Sequence, residues 1–252
     1  MNPKHDFYSP IARATKSFSS IQSFLMAACG LSVGCLLAGC ASPSASVHVP
    51  KDYKGLPFQD SVYSGGAQKI PGKVYCAYYD LGGEGVAYHD TTPANLGSGG
   101  LNPANGTYLN EFRMKEGVDT SYVKFNDDID NNPFDLVKPP DKMLYVGWTE
   151  PGEWFNLTVD VAEAGDYTFD LLYTSHQGGT ISVDLNGMKL TEPVKILPTF
   201  NASEPLAWRQ WHHWNLMKDA AQVKLPKGRS VLTVRVLTEG NMNLGCLEFR
   251  RK

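Results

Sequence analysis

The stretch Trp154-Phe155-Asn156-Leu157-Thr158-Val159-Asp160-Val161 decides the fold. Phe155, Leu157, Val159 and Val161 alternate with Trp154, Asn156, Thr158 and Asp160, and a period of two is the mark of a half-buried β-strand. Next comes turn chemistry, Glu163-Ala164-Gly165-Asp166, and then a run that sends Tyr167, Phe169 and Leu171 to one face. A Gly178-Gly179 turn leads into Ile181, Val183 and Leu185, and Asn186-Gly187 closes that strand as a hairpin signal, because a tight primed turn needs positive φ. Further along, Val223 and Leu225 precede the turn Pro226-Lys227-Gly228, Leu232, Val234 and Val236 alternate again, and Leu244 to Phe249 ends the pattern. Short strands at roughly ten-residue spacing, with no long helical period, predict an all-β chain folded as a single antiparallel β-sandwich. The polar stretches Asn126 to Asp141 and Leu190 to Leu206 read as excursions from its rim.

The chain has 252 residues, 19% of them charged, and a formal net charge of -3. That length suits one large or two small domains, and near-neutral charge without basic runs argues against nucleic acid as the partner. The first forty residues differ from the rest. Lys4, Arg13 and Lys16 precede a mostly apolar stretch from Ile21 to Ala38, and Leu37-Ala38-Gly39-Cys40 follows. This resembles a bacterial lipoprotein signal peptide over residues 1–39, which implies that Cys40 is the lipidated first residue of the mature chain. The apolar stretch is interrupted and short for a bilayer span. Ala41 after the cysteine is compatible with outer-membrane sorting, so the expected location is the bacterial cell envelope with a membrane contact through lipid. Residues 40–61, with little hydrophobic periodicity, read as a tether, and 62–252 as the sandwich.

Cys29 and Cys35 leave with the signal, so Cys76 and Cys246 remain. In an oxidising envelope they either pair, closing nearly the whole domain, or stay as two separate buried thiols. The run Asp80-Leu81-Gly82-Gly83-Glu84-Gly85-Val86-Ala87-Tyr88-His89-Asp90 reads as a glycine-rich loop that presents the carboxylate of Glu84 at a surface.

The order of pieces resembles the family 6 carbohydrate-binding modules and, second, their family 35 relatives. The match starts at Ile70-Pro71-Gly72 and runs through Gly83-Glu84-Gly85, Phe112-Arg113, Gly117-Val118-Asp119, Val146-Gly147-Trp148 and Ala164-Gly165-Asp166-Tyr167. It continues with Trp208, Trp211, Leu225-Pro226-Lys227-Gly228, Asn243-Leu244 and Glu248-Phe249. The resemblance implies a jelly-roll-like β-sandwich that binds a polysaccharide or oligosaccharide in a loop-built cleft and has no catalysis of its own. A pyranose offers apolar C–H faces and a rim of hydroxyls, so its site needs aromatic platforms and a few fixed polar groups. The resemblance assigns Trp208 and Phe112 to the platforms, Glu84 to hydroxyl acceptance and Asn243 to paired donor and acceptor contacts. Phe112 stands where a tyrosine is usual and lacks its hydroxyl. Trp148 and Trp154 are assigned to packing.

The family often carries a structural calcium between its first and last strands. Here Ala77 stands in place of the usual glutamate and Gly245 in place of Asp or Asn, so that site is expected to be weak or lost, and no cofactor is expected. The same two strands carry Cys76 and Cys246, and the resemblance makes them neighbours that a disulfide would staple.

Enzyme readings are weaker. Glu84 with Glu153 is a conceivable carboxylate pair for glycoside hydrolysis, but nothing in the chain sets their separation. Adjacent His212 and His213, read as strand residues, face opposite sides and do not share a metal. No nucleophile-elbow serine and no phosphate-binding glycine motif occurs. A third reading is a structural or adhesive envelope lipoprotein whose sugar site has degenerated.

Overall fold

The computed structural model describes residues 49–126 and 129–252; the expected signal peptide and the lipidation site Cys40 lie outside the described residues. The strands are β1 (Gln68–Ile70), β2 (Gly72–Tyr75), β3 (Tyr88–His89), β4 (Thr120–Tyr122), β5 (Leu144–Val146), β6 (Trp154–Val161), β7 (Gly165–Ser175) and β8 (Gly179–Leu185). After these come β9 (Met188–Lys189), β10 (Val194–Ile196), β11 (Asn215–Leu225), β12 (Gly228–Thr238) and β13 (Met242–Arg251). They form two sheets: a seven-stranded one in the order β1-β6-β12-β8-β10, with β3 on β6 and β9 on β8, and a six-stranded one in the order β11-β7-β13-β5-β4, with β2 on β13. Successive long strands alternate between the sheets, so the turn after Val161 passes from one layer to the other. The expected β-sandwich is the observed architecture. Among the described strands every pairing is antiparallel except β1 with β6.

Alternation builds the core. Phe155, Leu157, Val159 and Val161 of β6 meet Tyr167, Phe169, Leu171 and Tyr173 of β7 between the sheets, joined by Ile181, Val183, Leu232, Val234, Leu247 and Phe249. Each such side chain contributes on the order of 1.5–3 kcal/mol on burial. Asn186 and Gly187 take positive φ (52° and 77°) between β8 and β9, as the hairpin signal requires.

The six-stranded sheet carries a second apolar layer on its outer face. Val123, Met143, Tyr145, Leu172, Trp214 and Cys246 form it, with Phe125, Val137 and Leu216 packed against them. Through Val137, the expected excursion Asn126 to Asp141 therefore packs on a sheet face instead of standing free at the rim. Leu136 N and Val137 N donate to Trp214 O at 2.9 and 3.0 Å, which joins the two covering segments. The Leu190 to Leu206 stretch also contains β10, which extends the other sheet beside β8.

Within the stretch 40–61 expected as a tether, residues 53–58 pack on the fold. Tyr53 Oη donates to Asp80 Oδ2 at 2.6 Å, Leu56 and Leu81 exchange backbone hydrogen bonds, and Phe58 is buried against Tyr63 and Tyr78. A strap needs only occasional aromatic anchors to pack, so it shows no period in the sequence.

The expected disulfide is not formed: Cys76 and Cys246 are buried free thiols. Cys76 directly follows β2, which pairs with β13 so that Cys246 lies opposite Tyr75, but Cys76 packs into the core between the sheets and Cys246 into the outer layer. A register shift between Leu244 and Cys246 sets this, keeping Leu244 and Leu247 inward while Cys246 faces out. Burial pushes the Cys246 thiol up to about 12, and burial followed by the neighbouring Cys246 raises Cys76. We expect denaturation without reductant to expose both thiols to a thiol reagent that leaves them untouched in the native state. A single disulfide-linked product from the unreduced protein would overturn this arrangement.

Candidate functional site

At one end of the sandwich, Glu84 projects from the glycine-rich loop. Its Oε1 lies 2.5 Å from His89 Nδ1, and its Oε2 accepts from Asp90 N at 3.1 Å. A hollow of about 300 Å3 beside it is lined by Glu84, Tyr88, Asp90, Thr91, Thr92, Pro93 and Gly117. Thr91 Oγ1 donates within reach of Glu150 Oε2 and Glu153 Oε1, at 2.9 and 2.8 Å, so carboxylates crowd this rim. Burial first, and then mutual repulsion, raises Asp90, Glu153 and Asp119, the last to about 7.

The four residues expected to form a cleft do not assemble into one. Phe112 is 2% exposed and packs edge-on against Phe58, Tyr78 and Tyr108, so it offers no ring face to a sugar. Asn243 is 1% exposed; its Nδ2 donates to Thr174 Oγ1 at 2.9 Å and its Oδ1 is turned toward Gly147. Both are corrections to the expected site: the strap residue Phe58 and Tyr108 cover Phe112, and Asn243 is taken up by Thr174 of the neighbouring strand. Glu84 and Trp208 do reach solvent, but Trp208 lies on the segment between β10 and β11 and does not line the hollow beside Glu84.

The calcium positions do not fit a cation. Ala77 is buried among Phe58, Phe112 and Leu144, and a side chain at Gly245 would meet Met143 Cε at 2.8 Å and Trp214 at 3.2 Å. Neither position offers oxygen to a hard ion.

A different surface carries an aromatic among polar groups. On the outer face of the seven-stranded sheet, a groove of about 320 Å3 runs between the strap Pro50–Lys54 and the Asn186-Gly187 turn. Its floor comes from β6 and β12, where Trp154 stands opposite Arg235 and Asn156 opposite Thr233. The Arg235 guanidinium lies 5.7 Å from the Trp154 ring centroid and its Nε donates to Asp184 Oδ2 at 2.7 Å. Thr233 Oγ1 donates to Asn156 Oδ1 at 2.6 Å, and Asn156 Nδ2 to Val86 O at 2.9 Å. These groups sit on paired strands, so their spacing is held by the ladder and not by a loop. The sequence assigned Trp154 to packing. The signal against that assignment was its phase: Trp154 shares the polar face with Asn156, Thr158 and Asp160, opposite the core residues.

The other residues singled out for chemistry are engaged within the fold. Glu153 is 9% exposed and its two oxygens accept from Thr91 and from Glu150 N. His212 and His213 lie in a loop, not on a strand, yet they turn apart as expected. His212 Nδ1 is 3.0 Å from Asp130 Oδ1, and His213 Nδ1 donates to Thr199 O at 2.9 Å.

Fold and site together define a β-sandwich with a polar, tryptophan-flanked groove on one sheet. No protein-family model matches the chain, and no curated protein matches it. Solved structures do. CsCBM6-3 from Clostridium stercorarium, in complex with cellobiose, is similar at TM-score 0.43 and 10% identity, over 75% of this chain and 99% of that one. The carbohydrate-binding module of Cellvibrio mixtus lichenase 5A, in complex with cellotriose, is similar at 0.38 and 14%, over 54% and 88%. A family 35 module from Clostridium thermocellum is similar at 0.35 and 17%, over 43% and 78%.

Proposed function

We propose that the chain is a non-catalytic carbohydrate-binding module, held at the bacterial cell envelope by lipid on Cys40, that takes a polysaccharide or oligosaccharide into the groove on the seven-stranded sheet. The observation that carries this reading is Trp154, half-buried on a rigid strand beside Asn156, Thr233 and Arg235. Its indole presents an apolar face to a pyranose while the guanidinium of Arg235, whose side chain is 40% exposed, donates to ring hydroxyls. Stacking that hides about 100 Å2 of apolar surface is worth roughly 2–3 kcal/mol before the costs of association.

Affinity electrophoresis through neutral β-glucan, xylan and galactan tests the proposal. Retention by at least one of them is expected, lost in Trp154→Ala and kept in Glu84→Ala and Trp208→Ala. Retention that survives Trp154→Ala but disappears in Glu84→Ala would move recognition back to the rim, and release of reducing sugar would make the protein an enzyme. Burial of Phe112 and Asn243 favours one second reading, an adhesive envelope lipoprotein, which absence of retention on every gel would support.

A further inference from the structure

The segment between β10 and β11 has an unusual surface. Residues 197–211 contain one acid and one base, Glu204 and Arg209, and both are turned inward. Arg209 Nε and Nη2 donate to Glu204 Oε2 and Oε1 at 2.9 and 3.0 Å, and His213 Nε2 lies 3.7 Å from the same carboxylate. Gln210 Nε2 donates to Glu204 O at 3.0 Å, Asn201 N to Gln210 O at 2.7 Å and Thr199 Oγ1 to Trp211 O at 2.7 Å, so the lobe is built and not merely loose. Withdrawing an ion pair from water is costly, and here it leaves the lobe's outer surface without charge. Along the lobe Leu197, Phe200, Leu206 and Trp208 are exposed, at 54%, 45%, 43% and 57%.

We infer that this lobe is a membrane-seating surface, whose occupant is the interfacial layer of the lipid bilayer that carries the Cys40 anchor. The inference rests on the lipid-anchor part of the proposed function. Tryptophan, phenylalanine and leucine without charge are the side chains that settle at the boundary between headgroups and acyl chains. Chain length supplies the contact. Pro50, beside the first described residue Val49, is ten residues beyond Cys40. Ten residues span at most about 35 Å, comparable with the diameter expected of a domain this size, so lipid on Cys40 would keep every face of the domain, the lobe included, within reach of the bilayer. Seating by the lobe would orient the sandwich on the membrane, which a lipidated tether alone does not do.

The test uses full-length lipidated protein reconstituted into vesicles of phosphatidylethanolamine and phosphatidylglycerol, with and without brominated acyl chains. Flotation reports the anchor; bromine quenching, taken as the difference between the parent and Trp208→Phe, reports the lobe. The expected result is that the parent floats and its Trp208 emission is quenched. A Phe200→Ser, Leu206→Ser double variant should still float and lose that quenching. Protein that floats with Trp208 unquenched would overturn the inference while leaving the anchor intact. Protein that does not float would overturn both. An emission shift of Trp208 on adding an oligosaccharide, without bromine quenching, would assign the lobe to sugar instead.

Discussion

Trp214→Ala is expected to destabilise the domain by about 3–5 kcal/mol, the range for removing a fully buried large aromatic side chain. Trp214 is 0% exposed, packs edge-on against Tyr145 at 5.3 Å, and donates from Nε1 to Asp130 Oδ1 at 2.8 Å. Its backbone carbonyl also accepts from Leu136 and Val137. One residue therefore joins both segments that cover the six-stranded sheet. Its removal leaves a cavity and takes a donor from the fully buried Asp130. Urea denaturation followed by far-ultraviolet circular dichroism measures the loss. A second consequence distinguishes this from a general weakening: protease should cut within 123–142 and 199–213 before it cuts the long strands. A loss below about 1 kcal/mol would mean that the outer layer is not a packed part of the fold.

Acidification from about pH 8 to about pH 5 is expected to stabilise the protein. Burial, with repulsion from Asp90, Glu153 and Glu150, raises Asp119 to about 7, although Leu96 N donates to it. The folded state then binds this proton more tightly than the unfolded state. The stabilisation is fully present below the unfolded carboxylate range and is lost as pH rises through 7. Asp90 and Glu153 are raised in the same sense. Opposing them, the hydrogen bond from Arg229 holds Asp160 down at about 2, and Glu204 is lowered chiefly by Arg209. Those two stabilise above the unfolded range and fail only in stronger acid. Maximum stability should thus fall near about pH 5. Asp119→Asn should flatten the alkaline limb and gain on the order of 1 kcal/mol or more at about pH 8, because it removes a buried charge. Thermal melts of parent and variant across this range decide it; a parent whose melting temperature rises steadily toward alkaline pH would contradict the arrangement of the rim acids.

The strands were legible because their information is local. Phe155 to Val161, Tyr167 to Leu171 and Leu232 to Val236 each show their buried face by phase alone, and all lie in the core between the sheets. Turn residues were legible for the same reason, as at Asn186-Gly187. The covers were not. Phe58, Phe112 and Trp214 are single aromatics in irregular chain, and an aromatic that packs on a sheet has the same chemistry as one that stacks on a sugar. That ambiguity placed Phe112 in a binding site and assigned Trp154 to packing, whereas Phe112 is buried and Trp154 lines an open groove. Cys76 and Cys246 show the same limit, since neighbouring strands were foreseeable but the register shift that turns the thiols to opposite faces was not.

The amino-acid sequence by itself determined a β-sandwich, its turns and the inward face of each long strand, because the β period is set by residues adjacent in the chain. Only the tertiary structure decided which polar and aromatic side chains remain open to solvent. Exposure depends on which distant segment lies over a residue, and the Phe58 strap, the Trp214 junction and the inward Glu204–Arg209 pair are long-range choices that no local pattern records.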